Sequence, residues 1–210
     1  MTRIAGIEAM ALLFEGKVNQ ALTHLWREAG KVEPWRGQAC TLATADTAGR
    51  PSARMVLVKE ASEQAFPFFT NYHSRKGIEL AENPEAALLF FWPKLEAQLR
   101  VEGRVSRSSA EESDAYFAAR PRLSQLGAWA SQQSTPLPNE GALEAALAAS
   151  EALYPGDTSI PRPPHWGGFV LKPRLLELWL EGEGRLHRRL QLKAVPNTDP
   201  PVWDQARLFP

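Results

Sequence analysis

The chain has 210 residues and 23.3 kDa, with 24 basic and 24 acidic side chains and a formal net charge of zero. A composition 44% hydrophobic and 23% charged excludes a disordered protein, and the missing basic excess argues against a nucleic-acid partner. Cys40 is the one cysteine, so the core must hold the fold without an intrachain disulfide, as suits a reducing compartment. No apolar run approaches the roughly 20 residues of a membrane helix. Glu8 and Glu15 interrupt the N-terminal apolar stretch that a signal peptide needs. The chain reads as cytoplasmic, with no membrane partner.

Residues 6–29 read as one helix, because Ile7, Met10, Phe14, Val18, Leu22 and Leu25 recur at helical spacing, and Gly30 is a stop. Strands follow at 39–45, 52–59 and 65–71. The turn composition of 46–51 joins the first two, and the three together predict an antiparallel meander. Residues 74–82 form a short helix that stops at Asn83-Pro84. The apolar run 86–92 reads as a strand buried on both faces. Residues 97–107 alternate, with Leu99, Val101, Gly103 and Val105 on one side. Ser109-Ala110-Glu111-Glu112 fits the capping box, in which serine and glutamate satisfy free backbone donors at a helix start. That helix runs to 119, and Pro121 breaks it or starts another. An alanine-rich helix spans 141–153 and a proline-rich loop 154–164. Strands are expected at 168–171, 175–180, 185–192 and 202–208. With no repeat and no composition break, the reading is a single domain over 1–210, and the order of elements fits α+β better than parallel α/β.

Phosphate loops, dinucleotide fingerprints and the HExxH zinc motif are absent. Gly182-Glu183-Gly184-Arg185 lacks the strand-to-helix context of a glycine loop. The four histidines are scattered and, with one cysteine, make no metal-ligand spacing, so no metal is expected. His24, His73 and His165 read as structural or exposed. Ser131 and Ser134 lack the setting of a nucleophile elbow.

Four clusters remain. Arg54-Met55-Val56-Leu57-Val58-Lys59 has a cation at each end of an apolar strand. Their opposite parity sends them to opposite faces, as a half-buried strand with charged ends or as two separate anion contacts. Asn71-Tyr72-His73-Ser74-Arg75-Lys76 joins an N-cap serine to two cations at a helix start, where free backbone donors favour anions. It reads as a phosphate cradle or a solvated helix start, and cations opposing the helix dipole favour the functional reading. Tyr116, Arg120 and Ser124 are four apart and share a stripe if the helix passes Pro121. Two hydroxyls and a guanidinium suit a phosphate monoester, with ordinary surface residues as the alternative. In Arg185-Leu186-His187-Arg188-Arg189, a strand puts Arg185, His187 and Arg189 on one face. That much positive charge asks for an anion, with a charged edge strand as the alternative. These anion-binding pieces, together with seven tryptophans, point to a phosphorylated aromatic ligand.

The stretches 49–59, Phe69-Thr70-Asn71, Ser74-Arg75-Lys76, Tyr116-Phe117, Arg120-Pro121-Arg122, 124–129, Gln133-Ser134, Trp166-Gly167-Gly168-Phe169, Trp179, Arg185-Leu186-His187 and Arg207-Leu208-Phe209-Pro210 occur in order. Their ordered sum resembles the pyridoxine/pyridoxamine 5'-phosphate oxidase family, dimeric flavoenzymes with an antiparallel split-barrel fold, over roughly 42–210. Within the single domain, 1–30 is the N-terminal helix segment, and the resemblance implies C-terminal strands over 165–210 that complete the sheet and active site. It implies that Arg54, Met55, Val56, Leu57, Val58, Lys59, Phe69, Thr70, Arg75, Lys76, Gln98, Gln133, Ser134, Trp179 and Arg189 hold FMN, with Arg75 and Lys76 at its phosphate. Lys59, Tyr116, Arg120 and Ser124 would grip the substrate phosphate. Arg185, Leu186 and His187 would meet the pyridine ring, with Arg185 and His187 catalytic and Arg185 the main group in the catalytic step.

The implied reaction is oxidation of pyridoxamine or pyridoxine 5'-phosphate to pyridoxal 5'-phosphate, with O2 as acceptor and H2O2 as product. The implied assembly is a homodimer with FMN between subunits. Arg188, Phe69, Val170, Leu180-Glu181 and a longer entry to the first strand at 33–39 depart from the pattern usual in the family, and most of these departures lie near the ring end of the pocket. Alternatives are a related flavin oxidase acting on another ring substrate, of the phenazine-precursor type, and a non-catalytic flavin- or pyridoxal-phosphate-binding protein.

Overall fold

The computed structural model describes residues 2–210, and the fold is α+β as the order of elements predicts. Its helices are α1 (Thr2–Phe14), α2 (Val18–Val32), α3 (Arg75–Glu82), α4 (Ala110–Ala118), α5 (Arg122–Ala130) and α6 (Ala142–Leu153). Its strands are β1 (Ala39–Ala45), β2 (Pro51–Leu57), β3 (Phe66–Asn71), β4 (Glu85–Trp92), β5 (Ala97–Arg107), β6 (Trp166–Leu180), β7 (Arg188–Ala194) and β8 (Trp203–Leu208). No described helix is long and apolar enough to cross a membrane.

All pairings are antiparallel, in the order β2-β1-β4-β5-β6-β7-β8. The long β6 splits the sheet. Its first half pairs with β3, from Trp166↔Asn71 to Leu171↔Phe66, and its second half pairs with β7. A bridge from Val58 to Phe68, with Lys59 N donating to Pro67 O, ties the chain just after β2 to β3 and closes a barrel. Leu42, Val58, Phe66, Phe68, Leu88, Phe90, Leu99, Val101, Leu171 and Leu178 fill it and are essentially inaccessible. A smaller cluster of Phe117, Leu126, Ala128, Ile160 and Trp166 seats the α4–α5 pair.

Several expectations need correction. The helix over 6–29 is two helices, because Gly16 turns the chain at φ +75, a conformation glycine adopts without a steric penalty. The meander is not formed: β2 meets β3 only through the Val58 bridge, and β3 instead pairs with β6. The strand at 86–92 is not buried on both faces. It alternates, with Leu88, Phe90 and Trp92 inside and Phe91 58% exposed. The strands at 168–171 and 175–180 are one strand. The register shifts opposite Glu102/Gly103, a bulge that accommodates Pro173, which has no N–H to donate. At Gly103 a Cβ would sit 2.1 Å from Lys172 O, so only glycine fits there. The strand at 185–192 begins only at Arg188. Arg185 closes a 3-10 turn at φ +66, so Arg185, His187 and Arg189 do not share a strand face.

Candidate functional site

The site begins where β3 runs into α3. Ser74 caps α3: its Oγ accepts from Gly77 N and donates to Asn71 O at 2.7 Å. Gly77 is required for that turn, because a Cβ there would lie 2.3 Å from Tyr72 O. Lys76 folds back into the protein, and its Nζ donates to Thr70 Oγ1 (3.1 Å), Ser74 Oγ (3.1 Å) and Gln133 Oε1 (3.2 Å). Burial, reinforced by the Arg54 charge and opposed by Glu79, lowers the Lys76 pKa to about 8.

Lys76 faces a cleft of about 460 Å³. Its walls also include Met55, Val56, Leu57, Lys59, Phe69, Thr70, Asn71, Tyr116, Arg120, Ser124, Gln133 and Trp166. Tyr116, Arg120 and Ser124 all reach it, although α4 ends at Ala118 and α5 starts after Pro121. The proline changes the helix direction but keeps the three on one wall. An aromatic stack forms the floor: Phe69 and Tyr116 lie 3.9 Å apart, and Trp166 continues the stack. Lys59 Nζ lies 5.3 Å from the Tyr116 ring, and the Arg120 guanidinium 4.6 Å from the Trp166 ring. Burial lowers the Arg120 pKa against an opposing pull from Tyr116, and its buried Nη1 has no hydrogen-bond partner. A partnerless cationic donor, two lysines and an aromatic floor fit a planar, phosphorylated guest.

Not every expected residue lies on this wall. Arg54 and Arg75 both turn to Glu79, at 3.1 and 2.9 Å, and neither lines the cleft. Of the two cations expected at this helix start, Lys76 faces the cleft and Arg75 lies outside it. Val58 points into the barrel core, and Ser134 is exposed beside Gln133. Gln98, Trp179 and Arg189 form a separate row, adjacent in register across β5, β6 and β7. The His187 ring packs 4.5 Å from Trp179, and its Nδ1 meets Gly182 N at 3.2 Å. Arg185 and Leu186 are exposed nearby. His187 and Arg189 line a second cleft, of about 520 Å³, against α1. The residues expected in one site thus fall in two separate places on the chain.

Sequence reading missed three contributors. Trp166 supplies the stack beneath Arg120. Glu79 organises Arg54 and Arg75, and a glutamate four residues after Arg75 on one helix face was the available signal. Glu177 is a buried carboxylate on β6 bonded to Arg100 and Arg189; the Leu-Glu-Leu pattern at 176–178 reads as a charge turned away from the core and gave no sign that it would be covered. Among the described residues no group of His, Cys, Asp or Glu is arranged to hold a metal.

Residues 31–154 match the family model described as pyridoxamine 5'-phosphate oxidase. The chain belongs to that family. Residues 166–210 match the pyridoxine 5'-phosphate oxidase C-terminal dimerisation region, which supports a homodimer for this family member. A pyridoxine/pyridoxamine 5'-phosphate oxidase of Anaeromyxobacter dehalogenans strain 2CP-C is 55% identical over 161 residues, covering 77% of this chain and 81% of the relative. That of Neisseria gonorrhoeae is 48% identical over 183 residues, covering 87% and 84%. Among solved structures, PhzG from Burkholderia lata 383, in complex with tetrahydrophenazine-1-carboxylic acid, superposes with a TM-score of 0.82 at 30% identity over 91% of each chain. The architecture is the antiparallel split barrel of these oxidases.

Proposed function

We propose that this oxidase-family chain is an FMN-dependent pyridoxamine/pyridoxine 5'-phosphate oxidase, acting in the cytoplasm as a homodimer of single-domain subunits. The observation that carries this reading is the Lys59–Tyr116–Arg120–Ser124 wall, where a buried guanidinium nitrogen lacks a partner. FMN supplies the redox chemistry when bound: the carbon bearing the amine or alcohol is oxidised and O2 is reduced to H2O2.

The protein's part is binding and orientation. Met55, Val56, Leu57, Phe69, Thr70, Lys76 and Gln133 hold the cofactor from the first half-site, with Arg54, Val58, Arg75 and Ser134 supporting them from behind or beside it. Gln98, Trp179 and Arg189 come from the partner subunit's second half-site. Lys59, Tyr116, Arg120 and Ser124 fix the substrate by its remote phosphate, which places the reacting carbon. Arg185 and His187, with Leu186 between them, close over the pyridine ring. Arg185 stabilises negative charge that develops there.

The outer face of the sheet supports the dimer. Met55, Leu89 and Phe91 give it an apolar half with Met55 and Phe91 well exposed, continuous with the row of Gln98 and Trp179.

A second reading is a flavin oxidase acting on a phenazine precursor. The PhzG superposition favours it, as do Arg188, Val170 and Leu180 at positions where the family differs. Such an enzyme has no use for the phosphate-gripping set. A non-catalytic carrier of flavin or pyridoxal phosphate leaves Arg185-Leu186-His187 without a purpose. The deciding experiment is anaerobic: FMN-loaded protein is mixed with pyridoxine or pyridoxamine 5'-phosphate and the flavin absorption is followed. Bleaching that reverses in air is expected. Flavin that stays yellow with both substrates overturns the reading.

A further inference from the structure

We propose that Glu177 is a positioning residue that sets the Arg189 guanidinium for the cofactor; this rests on the reading above, that Arg189 holds FMN.

Glu177 is only 3% exposed, an unfavourable place for a carboxylate without cationic partners. It has two. Oε2 accepts from Arg100 Nη2 at 2.6 Å, and Oε1 accepts from Arg189 Nε at 2.8 Å with Nη2 also at 2.8 Å. Arg189 Nη1 donates to Phe209 O at 3.1 Å. All three nitrogens of Arg189 are therefore engaged, and its plane is fixed. A guanidinium carries five N–H groups, so one remains on each terminal nitrogen, both with a set direction. Arg189 lies beside Trp179, and Trp179 beside Gln98, in register across the sheet. The carboxylate thus aims one member of the row that forms the second half-site, and a group held in advance loses less freedom on binding. Arg100 is the second counter-charge and also pairs with Glu102 at 3.1 Å.

The test is a double-mutant cycle on the full chain, freed of flavin and titrated with FMN by fluorescence quenching. Arg189→Ala should weaken FMN binding. Glu177→Gln should weaken it about tenfold, the scale of one hydrogen bond to a charged group. The double variant should bind no more weakly than Arg189→Ala alone. If Arg189→Ala binds FMN like the unaltered chain, the assignment of Arg189 to the cofactor fails. If Arg189→Ala weakens binding while Glu177→Gln does not, or if the two losses multiply, the positioning role fails.

Glu177→Gln also leaves two guanidiniums facing each other. Combining it with Arg100→Met removes that repulsion, which should restore the thermal midpoint while FMN binding stays weak. Recovery of both would make Glu177 only a counter-ion and overturn the proposal.

Discussion

The Arg120 guanidinium lies 4.6 Å from the Trp166 ring, while its buried Nη1 has no hydrogen-bond partner. A buried donor left unpaired costs about 1–3 kcal/mol, which a phosphate oxygen would offset. Arg120→Ala is therefore expected to act in opposite directions on two measurements. The Michaelis constant for pyridoxine 5'-phosphate should rise about tenfold or more, as expected for a lost charge-assisted bond. The thermal midpoint of the substrate-free protein should hold or rise, because the orphaned group is gone. Arg120→Lys should recover only part of the affinity, since a lysine cannot present the planar fork. An unchanged Michaelis constant would transfer weight to the phenazine-precursor reading.

Lys76 predicts a pH dependence of cofactor binding. Burial and the Arg54 charge depress its pKa from 10.5 to about 8. In the empty cleft the folded state therefore holds fewer protons than the unfolded chain between about pH 8 and 10.5. Stability of the flavin-free protein should gain from this group as pH rises through that window, and lose the gain as pH falls to 8. A phosphate reverses the preference, because it favours charged Lys76. FMN affinity should accordingly fall as pH rises above about 8. Titrations at pH 7 and 9.5 check this, and Lys76→Met should bind weakly with a flatter profile. An equal slope in Lys76→Met would assign the dependence to another group.

Glu79 predicts the acid limb of stability. Burial raises its pKa, but donors from Ser52, Thr44, Arg75 and Arg54 outweigh burial and hold it at about 2, below the ordinary 4.5. A depressed carboxyl contributes stability that is full above 4.5 and lost as pH falls toward 2. Urea midpoints measured at pH 6 and pH 3 should differ, and Glu79→Gln should shrink the difference. The same variant should loosen Arg54 and Arg75. If the acid loss is identical in Glu79→Gln, other carboxylates carry it.

The sequence disclosed what depends on local chemistry. The strand limits at 39–45 and 97–107, the Ser109 capping box and the Ser74 cap follow from alternation and from side chains that satisfy nearby backbone donors, and the structure has all of them. What it concealed depends on distant pairings. Nothing near Phe66 tells it to pair with Leu171 rather than with β2, and nothing near Pro173 says that a bulge opposite Gly103 lets one strand continue. Much of the cleft's lining, from Lys59 and Phe69 to Tyr116, Arg120, Ser124 and Gln133, is among the residues that the family resemblance assigned to the site, whereas Trp166 was not and Arg54, Val58, Arg75 and Ser134 lie off it. The division of the expected site was not legible: Gln98 and Thr70 look alike as polar strand residues, and only the barrel's closure separates them.

That division predicts what the dimer is for. Phe91 is 58% exposed on the outer face, directly opposite Gln98 in the β4–β5 register. Phe91→Glu puts a charge into the apolar half of that face, where burial against a partner would be costly. Light scattering should show monomer in place of dimer, and the same sample should lose FMN although neither half-site has been altered. A monomeric Phe91→Glu that retains FMN would mean that one subunit's cleft is sufficient.

Arg185 gives the sharpest separation of chemistry from folding. Its φ of +66 follows Gly184 at φ +63, and the side chain is exposed. A bulky residue in the left-handed region costs about 1 kcal/mol or more. On the proposed reading, this loop beside His187 and Trp179 carries Arg185 for its side chain. Arg185→Gly should relieve the backbone and raise the thermal midpoint slightly. It should also reduce turnover by about a hundredfold, the scale of one lost charge-stabilising donor. Arg185→Ala should reduce turnover as much without the stability gain. Both should keep the FMN spectrum and affinity, because the proposed reading assigns FMN to other residues. Steady-state turnover, flavin titration and thermal unfolding on the same preparations separate these effects. Normal turnover in either variant removes Arg185 from the chemistry, and loss of FMN would make it a cofactor ligand.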